Sequence, residues 1–181
     1  MQAWFFDNDK DNFKTQEPVE GITCVHTPKG ITPTIMETYT AKRAKHYSIQ
    51  HVFLDWDGTL ASHDEGIPEK YVVAGWTCSE IDNELIGDKR VEKRRMALRK
   101  WIESFVRYGI YPYILTSNPT DDETFEHILT CLCGTISREY WQEVGSPIPQ
   151  EYGGMGPEFT RRNIVHSVDK LNTIKNCFLQ N

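Results

Sequence analysis

A chain of 181 residues and 21.0 kDa has room for a single domain. Charged side chains make up 25% of the sequence and apolar ones 39%, which is the composition of a globular protein able to bury a core. The net charge of −6 argues against a broad basic face for duplex nucleic acid, and no apolar stretch approaches the roughly 18 residues that a membrane span needs.

The N-terminus and the cysteines predict a cytoplasmic protein with no membrane partner. The first residues, MQAWFFDNDKDNF, lack the basic start and apolar run of a signal peptide. The five cysteines are odd in number and include no CxxC, so neither a disulfide framework nor a zinc knuckle is expected.

The hydrophobic pattern predicts strands alternating with helices. Three apolar runs stop abruptly at polar residues, which is typical of an α/β fold with a parallel sheet. Ligands of such sheets bind beyond the carboxyl ends of the strands. In chain order, the predicted elements are an apolar run at 3–6, a strand at 21–27, a short helix at 34–46, an apolar run at 51–54, a helix at 90–108, a strand at 110–115, a helix at 125–133, loops around one strand at 134–156, and a final helix from about 169.

An acid pair follows the apolar run HVFL. Asp55 and Asp57 are two residues apart, so in an extended chain they point the same way, and Gly58 allows a sharp turn after them. Two such carboxylates can divide catalysis, one attacking while the other transfers a proton, and their mutual repulsion favours a bound cation. A surface turn is the alternative, but the apolar run before the pair and GTL after it favour a site.

The segment HVFLDWDGTL resembles motif I, hhhhDxDGT[LV], of the haloacid dehalogenase (HAD) superfamily. The resemblance implies a Rossmann-like domain in which Asp55 is the nucleophile and forms an aspartyl-phosphate. It also implies that Asp57 is the general acid and then the base that activates water. The Asp55 carboxylate and the Asp57 carbonyl would bind Mg²⁺. An Asp at position 57 favours a phosphatase over a dehalogenase.

A second segment, YILTSN, fits the family's motif II, an apolar strand that ends in Ser or Thr. The resemblance implies that Thr116 donates a hydrogen bond to a phosphoryl oxygen, and Ser117 and Asn118 are next in line as phosphate-binding residues. A turn of this composition after a strand is commonplace by itself, so the interpretation depends on Asp55.

The family's motif III is a lysine near the start of a later helix. Lys170 in SVDKLNTI is the best placed, with Lys175 and Arg162 as alternatives. Its ammonium would offset the negative charge of the nucleophile and of the phosphoryl group.

The family's fourth motif supplies a further metal-binding acid, and the 11 residues after Lys170 contain no Asp or Glu. The N-terminal AWFFDNDKDN resembles that motif, hhhFFDDxxxN, which makes Asp7 the predicted partner of Asp55 in binding Mg²⁺. Asn8 stands where a second Asp is common, and Asp11 is the alternative ligand.

The motif order IV, I, II, III indicates a circularly permuted HAD domain over residues 1–181, similar to the capless magnesium-dependent phosphatase branch. It predicts a parallel sheet of about five strands. Residues 1–33 form the permuted strand-helix-strand, 34–48 a crossover, and 49–181 carry motifs I to III. In the family's strand order, 21–27 is an edge strand.

The spacing leaves residues 61–88 as a small flap and no room for a large cap domain. An open site suggests either a bulky phosphate ester, such as a phosphoprotein or a nucleic-acid end, or closure of the site by a second subunit. The expected partner is a phosphorylated substrate, which can be a small molecule, a protein or a nucleic-acid end. We therefore expect a Mg²⁺-dependent phosphomonoester hydrolase. The alternative, motivated by Asn8, is a catalytically degenerate HAD domain with an interaction or regulatory role.

Overall fold

The computed structural model describes residues 2–15, 19–56, 58–60, 89–117 and 164–176. The helix predicted at 125–133, the loops at 134–156 and the flap at 61–88 lie outside these residues. The described elements are β1 (Gln2–Asp7), a 3₁₀ helix (Lys10–Phe13), β2 (Ile22–His26), α1 (Pro33–Thr38), α2 (Ala41–His46), β3 (Ile49–Leu54), α3 (Lys89–Arg107), β4 (Tyr111–Thr116), β5 (Ile164–His166) and α4 (Lys170–Ile174).

The five strands form one sheet in the order β2-β1-β3-β4-β5, and every neighbouring pair is parallel. The predicted α/β fold with a parallel sheet of about five strands is therefore confirmed, and β2 is an edge strand as expected. β3 is central, with β1 and β4 on either side. All carboxyl ends meet at one edge, which is where a parallel sheet places its ligands.

The structure differs from the sequence prediction in two elements. The helix predicted at 34–46 is two short helices, because the hydroxyls of Thr32 and Thr40 each cap a separate helical start by accepting from the amides of Ile35 and Arg43. The segment before the last helix contains the short strand β5, the last strand in the described part of the sheet. The prediction missed it because three residues are too few to show a period.

The alternation of side chains along the strands builds a core on each face of the sheet. Trp4 and Phe6 of β1 face α1, α2 and α3, where Trp101 packs edge-on against Phe6 at 5.6 Å. Phe5 faces the other side, in a cluster that includes Leu171 of α4. Helices on both faces thus bury β1 and β3, which explains why both strands read as continuous apolar runs.

Among the helices that the structure describes, none is long and apolar enough to cross a lipid bilayer.

Candidate functional site

Two acids meet at the carboxyl edge of the sheet. Asp7 is the last residue of β1, and Asp55 directly follows β3, its neighbour. The two strands are held in register by the pairing of Phe6 with Leu54, and the Asp55 amide donates to the Phe6 carbonyl at 3.0 Å. Both acids are almost fully buried, with 0% of Asp7 and 4% of Asp55 exposed. Parallel pairing therefore brings together carboxylates that are 48 residues apart in the sequence.

A lysine from the far end of the chain joins the two carboxylates. The Nζ of Lys170 lies 2.6 Å from Asp55 Oδ1 and 2.9 Å from Asp7 Oδ2, and its side chain is only 2% exposed. Since a buried ammonium needs paired charges, the two acids are what make this position tolerable for a lysine. The structure thus brings three of the predicted site residues into direct contact.

The start of α4 fixes the position of this lysine. Asp169 is the N-cap and accepts from the amide of Asn172, while its own amide donates to the Ser167 hydroxyl at 3.1 Å. Ser167 is buried and lies 2.6 Å from the hydroxyl of Thr173 in the first turn of α4. These contacts place Lys170 at the first helical position, where its side chain reaches the edge of the sheet.

Burial and charge shape the titration of the cluster. Burial, followed by the negative charge of Asp7, raises the pKa of Asp55 to about 6, against the lowering effects of Lys170 and Thr59. Burial alone would lower the pKa of Lys170, but the Asp55 and Asp7 carboxylates raise it overall, so its ammonium stays charged at neutral pH. Two carboxylates and one ammonium leave a formal charge of −1 when both acids are ionised.

Hydrogen bonds and side-chain packing connect the turn after Asp55 to the turn after Asp7. Thr59 Oγ1 donates to Asp55 Oδ2 at 3.0 Å and accepts from the Asn8 amide at 3.1 Å, with Asn8 Oδ1 3.5 Å away. Gly58 has a φ of +75°, and a Cβ at this position would lie 2.5 Å from Asn8 Nδ2. The Asn8 side chain thus fills the space beside Gly58, and Thr59 orients the second oxygen of Asp55.

The residues after Asp7 orient its carboxylate in a similar way. Asp7 Oδ1 accepts from the Asp9 amide at 2.9 Å, and Oδ2 accepts from Asn12 Nδ2 at 2.9 Å. Asn12 and Thr59 were not among the predicted site residues, although both stand at defined positions of the patterns that the sequence resembles. Asn12 matches the final Asn of hhhFFDDxxxN, and Thr59 matches the Thr of DxDGT. The signal was therefore present in the sequence.

The predicted phosphate-binding residues lie at the same edge of the sheet. Thr116 ends β4, the other neighbour of β3, and is 1% exposed. Its carbonyl accepts from the Ser167 amide at 2.8 Å, which ties the end of β4 to the segment that precedes Lys170. Ser117 is exposed, and its carbonyl lies 3.2 Å from His166 Nε2.

Other predicted site residues stand apart from the cluster or beyond the described residues. The Asp11 carboxylate is 72% exposed and pairs with Lys14 at 2.6 Å. Lys175, the alternative to Lys170, is the C-cap of α4 and is partly buried. Asp57, Asn118 and Arg162 lie outside the described residues, so their predicted roles stay predictions.

The chemistry of the buried acids fits a hard divalent cation. Mg²⁺ is usually held by one or two carboxylates together with waters, and Asp7 and Asp55 offer two adjacent, buried ones. Asp7, Asp55 and Lys170 together carry a formal charge of −1 when both acids are ionised, and this negative charge attracts a cation. Within the described part of the chain, from which Asp57 is missing, no group of three or more His, Cys, Asp or Glu side chains forms a metal cluster.

Comparisons with protein-family models, curated proteins and solved structures found no match for this chain.

Proposed function

We propose that this protein is a Mg²⁺-dependent phosphomonoester hydrolase of the HAD type, acting through an aspartyl-phosphate on Asp55. The observation that carries the proposal is the contact of Lys170 Nζ with both Asp55 and Asp7 at the carboxyl edge of a parallel sheet. The three residues come from segments that resemble motifs I, III and IV of that superfamily, and the contact is what a shared phosphoryl-transfer site requires of them.

The strand order supports a circular permutation. The family's order places the strand of motif I at the centre, the strand of motif II on one side and that of motif IV on the other. Here β3, followed by Asp55, lies between β4, ended by Thr116, and β1, ended by Asp7. Because β1 comes first in the chain, the same spatial order is reached with the fourth motif at the N-terminus.

The charges of the cluster suit phosphoryl transfer. A phosphate monoester brings a charge of about −1.5 to −2 to a cluster that already carries −1. Lys170 and the Thr116 hydroxyl stabilise the peripheral oxygens of the transferring group, whose charge is the main target of catalysis in such reactions. When bound by Asp55, Asp7 and the Asp57 carbonyl, Mg²⁺ supplies the remaining positive charge.

The chain's own residues then carry the two chemical steps. An Asp55 carboxylate oxygen forms a bond to phosphorus while the bond from phosphorus to the leaving oxygen breaks, and Asp57 gives that oxygen a proton. Water next attacks the phosphoryl group, Asp57 takes a proton from it, and the bond between phosphorus and the Asp55 oxygen breaks. Phosphate leaves, and the Asp55 carboxylate and the Asp57 acid are regenerated.

The contacts of Asp55 match the needs of a nucleophile. Thr59 holds Oδ2 and Lys170 holds Oδ1, so the carboxylate cannot rotate freely and enters the reaction in one orientation. The pKa of about 6 leaves it mostly ionised at neutral pH. At neutral pH the rate of attack at phosphorus then depends on how the substrate is positioned and how its charge is stabilised, rather than on the ionisation of Asp55.

The test is turnover of p-nitrophenyl phosphate with and without Mg²⁺. We expect Mg²⁺-dependent release of phosphate from the wild type and a loss of at least a thousandfold in Asp55→Asn, which keeps the shape of the side chain but not its nucleophilicity. Glu37→Gln, an exposed substitution on α1 with the same change of charge, is the control and should retain full activity. Full activity in Asp55→Asn rejects the mechanism.

A second candidate, a catalytically degenerate domain with a regulatory role, is favoured by one observation. Asn8 occupies the position of a second acid, and its amide and side chain contact Thr59. Beryllofluoride, which mimics a phosphoryl group on an aspartate, separates the two functions. An active enzyme should bind it saturably with Mg²⁺ and lose that binding in Asp55→Asn, whereas a degenerate domain should not bind it.

A further inference from the structure

The basic side chains of this acidic protein are concentrated in one layer of helices. The layer comprises α1 and α2 with the residue after them (33–47) and α3 with the residue after it (89–108). It holds 11 of the 20 Lys and Arg residues but only three of the 26 Asp and Glu residues. Its formal charge is therefore +8, which leaves −14 on the rest of the chain.

The described side chains of this layer present their charge to solvent. On α2, Ala41 and Ala44 face the core, and the exposed positions are taken by Lys42, Arg43 and Lys45. On α3, Lys100 and Arg107 are exposed. Both helices pack on the same face of the sheet, within one buried cluster, so their outer surfaces form a single face.

The long helix α3 runs along this layer towards the candidate site. Phe105 packs against Trp4, whereas Trp101, one turn earlier, packs against Phe6, which immediately precedes Asp7. The N-terminal end of α3 therefore points towards the carboxyl edge of the sheet. From Trp101 to Lys89 the helix continues for about 18 Å at 1.5 Å per residue, so its first half lies at or beyond the level of the acid cluster.

The half of α3 that extends past the sheet is the more basic half. Residues 89–100 contain a single acid, Glu92. The basic residues of this segment are Lys89, Arg90, Lys93, Arg94, Arg95, Arg99 and Lys100. Because this segment of the chain carries seven basic residues and one acid, we expect a positive potential at this end of α3, which attracts substrates that carry several negative charges.

Exposed aromatic rings distinguish the kind of polyanion. Among the described residues, the large hydrophobic side chains that are exposed are Tyr47 at 53%, Tyr108 at 43% and Val168. Both tyrosines belong to the basic layer, each directly after one of its helices. Basic side chains combined with exposed aromatic rings are the features by which proteins bind single-stranded nucleic acid, whose bases stack on the rings. A phosphopeptide needs neither this many charges nor stacking platforms.

We propose that the α1–α2–α3 layer binds a single strand of nucleic acid and directs its terminal phosphate to Asp55. This inference rests on the proposed phosphatase function and names its substrate class. α3 is about 28 Å long, which corresponds to about eight nucleotides at the 3.4 Å spacing of a stacked strand. Affinity should therefore rise with strand length up to about that size, and a mononucleotide should bind weakly.

The experiment compares two triple variants with the same change of charge. Lys42→Gln, Lys45→Gln and Lys100→Gln remove three exposed positive charges from the basic layer. The control variant carries Lys10→Gln, Lys14→Gln and Lys29→Gln, which are exposed outside the layer. Binding of a fluorescent oligonucleotide with a terminal phosphate is measured by anisotropy in EDTA, which prevents turnover, between about 50 and 200 mM salt.

Loss of three phosphate contacts should reduce the slope of log affinity against log salt by about 2 and weaken binding about 100-fold near 0.1 M salt. The control triple should bind within a few-fold of the wild type. The double variant Tyr47→Ala, Tyr108→Ala should bind the oligonucleotide at least about 30-fold less tightly, because the loss of each stacking ring weakens binding by at least about fivefold. It should bind inorganic polyphosphate as the wild type does, since polyphosphate has no bases to stack.

Results that differ from these expectations reject either the nucleic-acid surface or the hydrolase proposal, and the two failures can be told apart. Equal weakening by the two triples, no weakening by either, or faster turnover of a phosphopeptide than of the oligonucleotide end overturns the nucleic-acid surface. If binding depends on the layer as expected but neither the oligonucleotide end nor p-nitrophenyl phosphate is hydrolysed, the hydrolase proposal fails and the binding surface stands. Hydrolysis of p-nitrophenyl phosphate should be the same in the control triple and in the wild type.

Discussion

Lys170→Met tests the charge balance of the buried cluster. The substitution keeps an apolar stem of similar length but removes the ammonium that lies 2.6 Å from Asp55 and 2.9 Å from Asp7. Two buried carboxylates then lie side by side without the ammonium that both contact. Removing one partner of a buried ion pair typically costs about 3–5 kcal/mol in the free energy of unfolding, and we expect a loss of that size at pH 8.

The loss should depend on pH in a definite direction. The folded-state pKa of Asp55 is about 6 and its reference value is 3.8, a difference that corresponds to roughly 3 kcal/mol of destabilisation at neutral pH. Because the folded value is the higher one, this penalty is absent below about pH 4, grows between about pH 4 and 6, and is fully present above that range. Without Lys170 the pKa of Asp55 rises further, so the variant should recover part of its stability when the pH is lowered from 8 to 5.5.

Urea denaturation at both pH values measures these effects. Lys175→Met, on the same helix but at its C-cap, is the control and should cost less than about 1 kcal/mol, as a partly exposed substitution does. Adding Asp7→Asn to Lys170→Met removes one of the two carboxylate charges, and with it their mutual repulsion, and should restore a large part of the loss. A loss below about 1 kcal/mol for Lys170→Met at pH 8, or no recovery from Asp7→Asn, refutes the charge argument.

Three further predictions concern the turn after β3. Gly58→Ala and Gly109→Ala both place alanine at a positive φ, near +75° and +72°, at a cost of about 1–2 kcal/mol, but only the Cβ at position 58 would meet Asn8. Chemical denaturation should therefore find Gly58→Ala less stable than Gly109→Ala. Equal losses of stability would contradict the close packing of Asn8 against Gly58. Thr59→Val removes the hydroxyl that donates to Asp55 Oδ2, so the free energy of unfolding should fall by about 1–3 kcal/mol and the kcat for p-nitrophenyl phosphate should fall as well. Thr59→Ser keeps the hydroxyl and should retain both the stability and the kcat. If Asp55 is the nucleophile, as proposed, it must be ionised to attack, so hydrolysis of p-nitrophenyl phosphate should fall as the pH drops below about 6. Raising the Mg²⁺ concentration should move the midpoint of that fall to lower pH. A pH-independent rate between 5 and 8 counts against the proposed role of Asp55.

The role of Asn8 changes how a departure from a motif is interpreted. In the sequence, Asn8 stands where the motif that AWFFDNDKDN resembles commonly has a second acid, and this difference argues for a weakened metal site. In the structure, its amide donates to Thr59 and its side chain packs beside Gly58, so an uncharged residue at this position connects the two turns that carry Asp7 and Asp55. A second carboxylate there would add negative charge to a cluster that already has an excess of it.

The distribution of charge is a second feature that composition conceals. A net charge of −6 argues against a broad basic face, yet the helices over one side of the sheet carry +8. The sum is uninformative because the two signs are separated in the fold. The basic positions lie in α2 and α3, which are far apart in the sequence and adjacent only because both cover the same face of the sheet.

Local sequence determined the strands and most of the helices. Continuous apolar runs such as WFF and VFL predicted strands buried on both faces, and the apolar spacing of Leu98, Trp101 and Phe105 predicted α3, because side-chain periodicity is a property of each segment alone. The acids after two of these runs also marked the carboxyl edge as the place of the site. These features need no information from elsewhere in the chain.

Only the tertiary structure decided which of the marked residues meet. Strand order and register depend on contacts between distant segments, and they set Asp7 beside Asp55. They brought Lys170 into contact with Asp55, 115 residues away in the sequence, and with Asp7, 163 residues away. They also left Asp11 paired with Lys14 at the surface, although its spacing from Asp7 had made it a candidate ligand. Sequence patterns report how each segment folds locally, whereas distances between carboxylates and an ammonium follow from how the segments pack.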